Sequence, residues 1–250
     1  MINFIAGFIK KEVGDVLKRE KQRDFRNVVI LQVLLIVSAL LLKDAMDLAG
    51  VKNSYVFRDI FFLVLGAFYV MVLWDMLRNF TQSAFIIYSL FVVIVGTYIL
   101  TLFTVNPVYK LFATEAEQQP YLFFIHSVLF LVEATTIYFA ILDIFSGNKM
   151  SQEKLWGSAC IYLMIAISFG SLYDLINILK PGSMGAPLAM GLESYTACVA
   201  FSMTILGGQD PVYQNAVPLI KGLGIVESVW GNLFIVLLVR RLLGQPDAEK

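Results

Sequence analysis

The residues best equipped for chemistry lie between two long apolar blocks, in the segment from Met190-Gly191-Leu192-Glu193-Ser194-Tyr195 through Asp210-Pro211. An acid and a hydroxyl, Glu193 and Ser194, suit a helix N-terminus, where amide groups lack partners and the helix dipole is positive. The run 193–203 has the length of a half-helix, and Gly207-Gly208 ends it. Gln209 and Asp210 follow, an amide and a carboxylate of the kind that draws cations without stripping all of their water. Glu227 stands about four helical turns further on, placed either to face an aqueous cavity or to pack behind the glycine-rich segment that follows the half-helix. Upstream, Glu133 and His126 fall inside an apolar block, where ionisable groups are costly and turn toward a bundle interior or a wet cavity. Glu133 is either a proton or ligand sensor or a hydrogen-bonded packing residue, and the same pair of readings applies to His126.

The elements that must position these residues are membrane helices. A chain that is 58% hydrophobic and 15% charged, with mean hydropathy +0.75, is not a water-soluble globule. Its apolar residues form six blocks, 28–48, 56–77, 82–104, 120–145, 155–180 and 214–243, each near the roughly 20 residues that a helix needs to cross hydrocarbon. Continuous apolar runs lack the alternation of a membrane strand, so helices are expected. The segment 190–211 is too short to span.

Charge gives the expected orientation. Lys10, Lys11, Lys18, Arg19, Lys21, Arg23 and Arg26 crowd the first 27 residues, which the positive-inside rule places in the cytoplasm. Six crossings add Arg78, Lys149, Lys154, Arg240, Arg241 and Lys250 to that side and leave Lys43, Lys52, Arg58, Lys110, Lys180 and Lys221 on the other. The expectation is a multi-pass protein of the cell membrane, the compact form suggesting a bacterial inner membrane, with both termini cytoplasmic. Ile2, Ile5, Phe8, Ile9, Val13, Val16 and Leu17 share a helical face, so residues 1–27 read as an amphipathic basic helix at the inner interface. Residues 28–150 then form a four-helix transmembrane domain, and 151–250 a separate unit. Lys10 and Lys11 interrupt too short an apolar stretch for a cleavable signal.

Several functions are disfavoured. The block 120–145 has no Arg or Lys, so it lacks the charge series of a voltage sensor. Cys160 and Cys198 stand apart in apolar surroundings, as packing residues rather than a metal or disulfide framework. With no phosphate loop, nucleophile elbow or metal-binding cluster, no enzyme activity is expected. Neither a cofactor nor a nucleic-acid partner is expected.

Two apolar helices flanking a half-helix with a glycine-rich exit form a recognisable unit. The run Tyr195-Thr196-Ala197-Cys198-Val199-Ala200-Phe201-Ser202-Met203-Thr204-Ile205-Leu206-Gly207-Gly208-Gln209-Asp210-Pro211, with Glu227-Ser228-Val229-Trp230-Gly231-Asn232-Leu233-Phe234 and Val239-Arg240-Arg241-Leu242-Leu243-Gly244, resembles the pore module of the potassium-channel superfamily, specifically the bacterial two-helix ion-channel type. The resemblance implies an all-α membrane protein of six transmembrane helices, with a re-entrant pore helix and filter loop between the fifth and sixth, in the manner of voltage-gated channels. It implies a homotetramer in a lipid bilayer, with permeant cations, potassium among them, as its ligands.

The selectivity filter and pore would be Thr204, Ile205, Leu206, Gly207, Gly208, Gln209 and Asp210, with Glu227 and Gly231 on the inner helix. Aligned on Asp210, Ile205 replaces a coordinating threonine, Gly208 the bracing aromatic residue, and Gln209 a glycine chosen for its permissive backbone. The expected function is passive cation permeation with weak or altered potassium selectivity. The alternative is a non-conducting receptor, scaffold or accessory subunit on the same fold. A secondary transporter would show a second interrupted helix in a matching half of the chain, and none is present in the sequence. Gly222, Gly224 and Gly231 serve either as bending points or as close-packing sites.

Overall fold

The computed structural model describes residues 2–80, 84–105, 112, 114–145 and 151–243, with side chains described from residue 22 onward except at 79, 80, 84, 86, 115, 241 and 242. Among the described residues there are seven helices and no strand: α1 (Ile2–Leu48), α2 (Ser54–Phe80), α3 (Ala84–Thr104), α4 (Glu115–Phe145), α5 (Gln152–Leu179), α6 (Leu192–Leu206) and α7 (Pro218–Leu243). Six of them, all but α6, contain a stretch long and apolar enough to cross a membrane. The chain is a multi-pass, all-α membrane protein.

Residues 2–48 form one continuous helix, unbroken between the basic amphipathic stretch and the apolar one. The junction Lys18-Arg19-Glu20-Lys21-Gln22-Arg23 consists of good helix formers with no proline or glycine to break it. At 47 residues α1 is about 70 Å long, far more than a bilayer core needs. Helix α4 begins at Glu115, ahead of Pro120, which lies inside the helix and leaves the Ala116 carbonyl without its usual i+4 amide donor. Helix α7 begins at Pro218 rather than near 214, because proline at the first helical position has its backbone preset and needs no hydrogen bond. The connections at Asn106-Pro107 and Gly147-Asn148-Lys149-Met150, and Gly244 after α7, lie outside the described residues.

Helix α5 is the axis of the molecule. Two thirds of its apolar stretch is buried within the protein, against a third or less for every other span. It packs against α4, α1, α6 and α7, while α2 lies on α1, and α3 bridges α2 and α4. The four-helix part and the C-terminal part therefore share α5 rather than meeting across a gap. Gln119 Nε2 donates to Ile178 O at 2.7 Å, fixing the start of α4 beside the end of α5.

One residue sets how closely α6 approaches this axis. A Cβ on Gly170 would stand 2.8 Å from the Cα of Val199 on α6, a separation that side chains do not tolerate against backbone. Gly170→Ala is therefore expected to force the helices apart and lower stability by about 1–3 kcal/mol, the usual cost of overpacking. Gly96→Ala, whose Cβ meets nothing within 4 Å, is the matched control. Comparing apparent thermal midpoints in detergent checks this, with a fall expected for Gly170→Ala and none for Gly96→Ala.

Candidate functional site: the short helix α6 and the buried carboxylates around α5

The register of α6 on α5 follows from its contacts. Asn177 pairs with Ser194, Asp174 with Ser194 and Cys198, Gly170 with Val199, and Tyr162 with Leu206. As one number falls the other rises, so α6 runs antiparallel to α5. It descends from the C-terminal end of α5 to the neighbourhood of Tyr162, seventeen residues away, which is about 26 Å along the helix. Leu206 is buried there with Ile161 and Ile165. Residues 207–217 then return, and Val217 N donates to Ser183 O at 2.9 Å, just beyond the end of α5.

The turn at the foot of α6 places the expected filter residues. Thr204, Ile205 and Leu206 form the last helical turn, so the helix runs three residues past the sequence boundary. Gln209 N donates to Thr204 O at 2.9 Å and Gly208 N to Ile205 O at 3.0 Å, with Gly208 at φ +68°. This pair of bonds is the Schellman closure of a helix C-terminus, and its left-handed residue is a glycine for want of a Cβ. Gly207 N donates to Met203 O at 2.9 Å, and Tyr162 Oη donates to Leu206 O at 3.0 Å. Each carbonyl from Met203 to Leu206 thus has a protein donor.

The side chains are engaged as well. Thr204 Oγ1 donates to Phe201 O at 2.7 Å. Ile205 is half-buried, its Cδ1 2.8 Å from where a Cβ on Gly224 would stand, and Leu206 occupies the space that a Cβ on Gly231 would need. Gly224 and Gly231 are therefore contact positions within a continuous α7, while Gly222 borders open space. Gly207, Gly208, Gln209 and Asp210 are exposed. Positive φ falls at Gly208; Gln209 has an ordinary backbone, so it carries no penalty for its side chain.

Three carboxylates gather around one level of α5: Asp174 on α5 itself, Glu133 on α4 and Glu227 on α7. Glu227 of α7 accepts hydrogen bonds from Tyr173 Oη at 2.7 Å and from Ser202 Oγ of α6, which places it behind α6. Asp174 accepts from Ser194 Oγ at the start of α6; Asn177 Nδ2 donates to that same Ser194 Oγ at 2.9 Å, and Ser183 Oγ to Asn177 Oδ1 at 3.3 Å. Glu133 of α4 accepts from Tyr69 Oη at 3.2 Å and Ser171 Oγ at 3.3 Å. All three carboxylates are fully buried. His126 Nδ1 lies 3.3 Å from Asp174 Oδ2, yet neither atom has a hydrogen bond of proper geometry.

Glu133, His126 and Glu227 stand out in the sequence; Ser171, Tyr173, Asp174 and Asn177 do not. Their signal is an aspartate inside a span, flanked by Ser168, Ser171 and Asn177 at intervals of three. Each step of three residues turns a side chain back about 60° around a helix, so successive polar groups face successive neighbours. Both cysteines are buried and free, and among the described residues no cluster of His, Cys, Asp or Glu is placed to hold a metal ion. Compared with known protein families, curated proteins and solved structures, the chain matches none.

The Glu227 cluster makes a graded prediction. Glu227→Leu leaves the Tyr173 and Ser202 hydroxyls buried without an acceptor, at about 1–3 kcal/mol each. Tyr173→Phe with Ser202→Ala in that background removes the orphans and recovers most of the loss. Thermal unfolding of the single and triple variants reads the difference; a triple variant no better than the single one contradicts it.

Proposed function

We propose that this chain is one subunit of a homotetrameric cation channel-like protein, with α5, α6 and α7 as its pore module, passing cations with weak or altered potassium selectivity. The carrying observation is the excursion of residues 192–217 beside α5. Its helix is only about 22 Å long, short of the roughly 30 Å hydrocarbon core. Its foot exposes Gly207 to Asp210, and backbone of this kind is stable at membrane depth only where protein or water covers it. One such excursion cannot surround an ion, whereas four around an axis can.

Helix α7 supplies the second support. Its buried residues, Ile220, Gly224, Glu227, Gly231 and Phe234, form one stripe against α5 and α6. Lys221, Ser228 and Asn232 form another line, about 100° around the helix and within about 40° of one another. A polar line on a spanning helix is costly against lipid, and a water-filled path or a second copy of the chain suits it better. Gln209 and Asp210, repeated four times, would form polar and acidic rings that concentrate cations. The C-terminal end of α6, the negative end of its dipole, points into the same region. In this reading both termini are cytoplasmic, and Gly207 to Asp210 face the lumen.

The capped carbonyls bear directly on selectivity. Stripping potassium of its water requires backbone oxygens free to replace that water, and those of residues 203–206 are bonded within the protein. Cations crossing such a pore would keep much of their hydration, which is the basis for weak selectivity. The same observation favours the second reading, a non-conducting receptor, scaffold or accessory subunit on the channel fold.

Flux from liposomes holding the purified protein, under potassium, sodium and calcium gradients, separates the two. The proposal predicts comparable potassium and sodium flux, reduced several-fold in Asp210→Asn, from particles containing four 28.1 kDa chains. Tetramers with no flux of any cation would assign the non-conducting role, and particles of one chain would sink both readings.

A further inference from the structure

Away from the foot of α6, helices α2, α3 and α4 line a half-open apolar cavity of about 150 Å³. We propose that this cavity is a binding site for an uncharged, mainly apolar molecule about the size of one aromatic ring. The proposal does not depend on the channel reading.

Size and lining define the ligand class. An apolar cavity of roughly 150 Å³ stays dry and accepts a benzene ring. The walls here include Phe62, Leu73, Ile94, Leu129 and Val132, and most of the polar groups among them are already engaged, the His126 Nδ1 being an exception. Tyr98 Oη donates to Leu63 O at 2.9 Å, Thr97 Oγ1 to Val93 O at 2.8 Å and Thr101 Oγ1 to Thr97 O at 2.9 Å. Asp59 is paired with the Arg58 guanidinium at 3.0 Å. A charged or strongly polar ligand would give up its water here and find little to replace it.

The space is kept by a missing side chain. Gly66 lines the cavity from the middle of α2, and a Cβ built on it meets nothing within 4 Å. Glycine inside a helix is unfavourable by about 1 kcal/mol relative to alanine, and neither a tight turn nor a close helix contact requires it at this position. Any large residue there would fill the volume. Helix α3, which forms one wall, is the least buried span in the protein, giving a small apolar molecule a short route from the bilayer.

The cavity also touches α6. Gly191, Leu192 and Tyr195 form part of its wall beside His126, and the intervening Ser194 is the residue bound to Asp174. A molecule in the cavity therefore rests against the same turn that the buried polar cluster anchors.

Photolabelling tests the site on the full chain in lipid nanodiscs, with a diazirine derivative of benzyl alcohol as the probe and benzyl alcohol as competitor. The expected result is label mapped by mass spectrometry to cavity residues of α2, α3 and α4, and suppressed several-fold by the competitor. Gly66→Phe should abolish this label while preserving the elution profile, and Gly96→Phe, whose Cβ also meets open space outside the cavity, should retain it. If Gly66→Phe does not fold, Gly66→Leu and competition on the wild type decide. Label that spreads over the lipid-facing surface, survives in a folded Gly66 variant or resists benzyl alcohol because a lipid chain fills the space overturns the proposal.

Discussion

The arrangement of the C-terminal half depends on the crossing of α5 and α6 at Gly170. Two helices can approach this closely only where one of them lacks a side chain, and the close approach brings polar groups on both within hydrogen-bonding reach. Ser194 then meets Asp174 and Asn177 above the crossing, and Tyr162 meets the Leu206 carbonyl below it. Tyr173 and Ser202 converge on Glu227, which draws α7 onto the same pair. Each bond is modest in isolation, but each would leave a buried group unsatisfied if α6 moved away. The short helix is thus held by position as much as by energy.

In the proposed pore reading α6 is a 15-residue helix at membrane depth, which needs such an anchor. It cannot reach both interfaces, so its polar ends must be satisfied by protein or water. The structure does this at the foot with the Schellman bonds and the Tyr162 hydroxyl, and at the head with the Ser194 amide, which donates to Ala189 O at 3.2 Å. Satisfying the foot internally uses the same carbonyls that an ion-dehydrating filter would expose. Tight capping of α6 and strong potassium selectivity are therefore opposed requirements on residues 203–206, and the weakly selective or non-conducting proposals follow from that opposition.

The sequence carries the six spans plainly, because hydrophobicity over about 20 residues is a long-window signal that local detail does not disturb. It also shows that 193–203 is a helix too short to span, from length and from Gly207-Gly208. It does not show where that helix stops, since a glycine pair serves an extended strand and a left-handed cap equally. The continuity of α1 escapes for a related reason: a change from basic amphipathic to apolar sequence alters what surrounds a helix without breaking it. Asp174 and its neighbours are obscured by averaging, because four polar residues scarcely lower the hydropathy of a 28-residue helix. Whether Glu227 faces a cavity or packs behind α6 depends on Tyr173 and Ser202, 54 and 25 residues away, and no local pattern encodes that pairing.

The central claim is that residues 192–217 enter and return at the same end of the bundle, with Asp210 reaching water. Single-cysteine variants at the exposed positions Ala189, Gln214 and Gln152, and at Asp210, expressed in sealed membrane vesicles and treated with an impermeant maleimide, test it most directly. The account predicts that Ala189→Cys and Gln214→Cys are labelled from one side, Gln152→Cys from the other, and Asp210→Cys from water on either. Labelling of Ala189→Cys and Gln214→Cys from opposite sides would mean that the segment crosses the membrane, and would contradict the account.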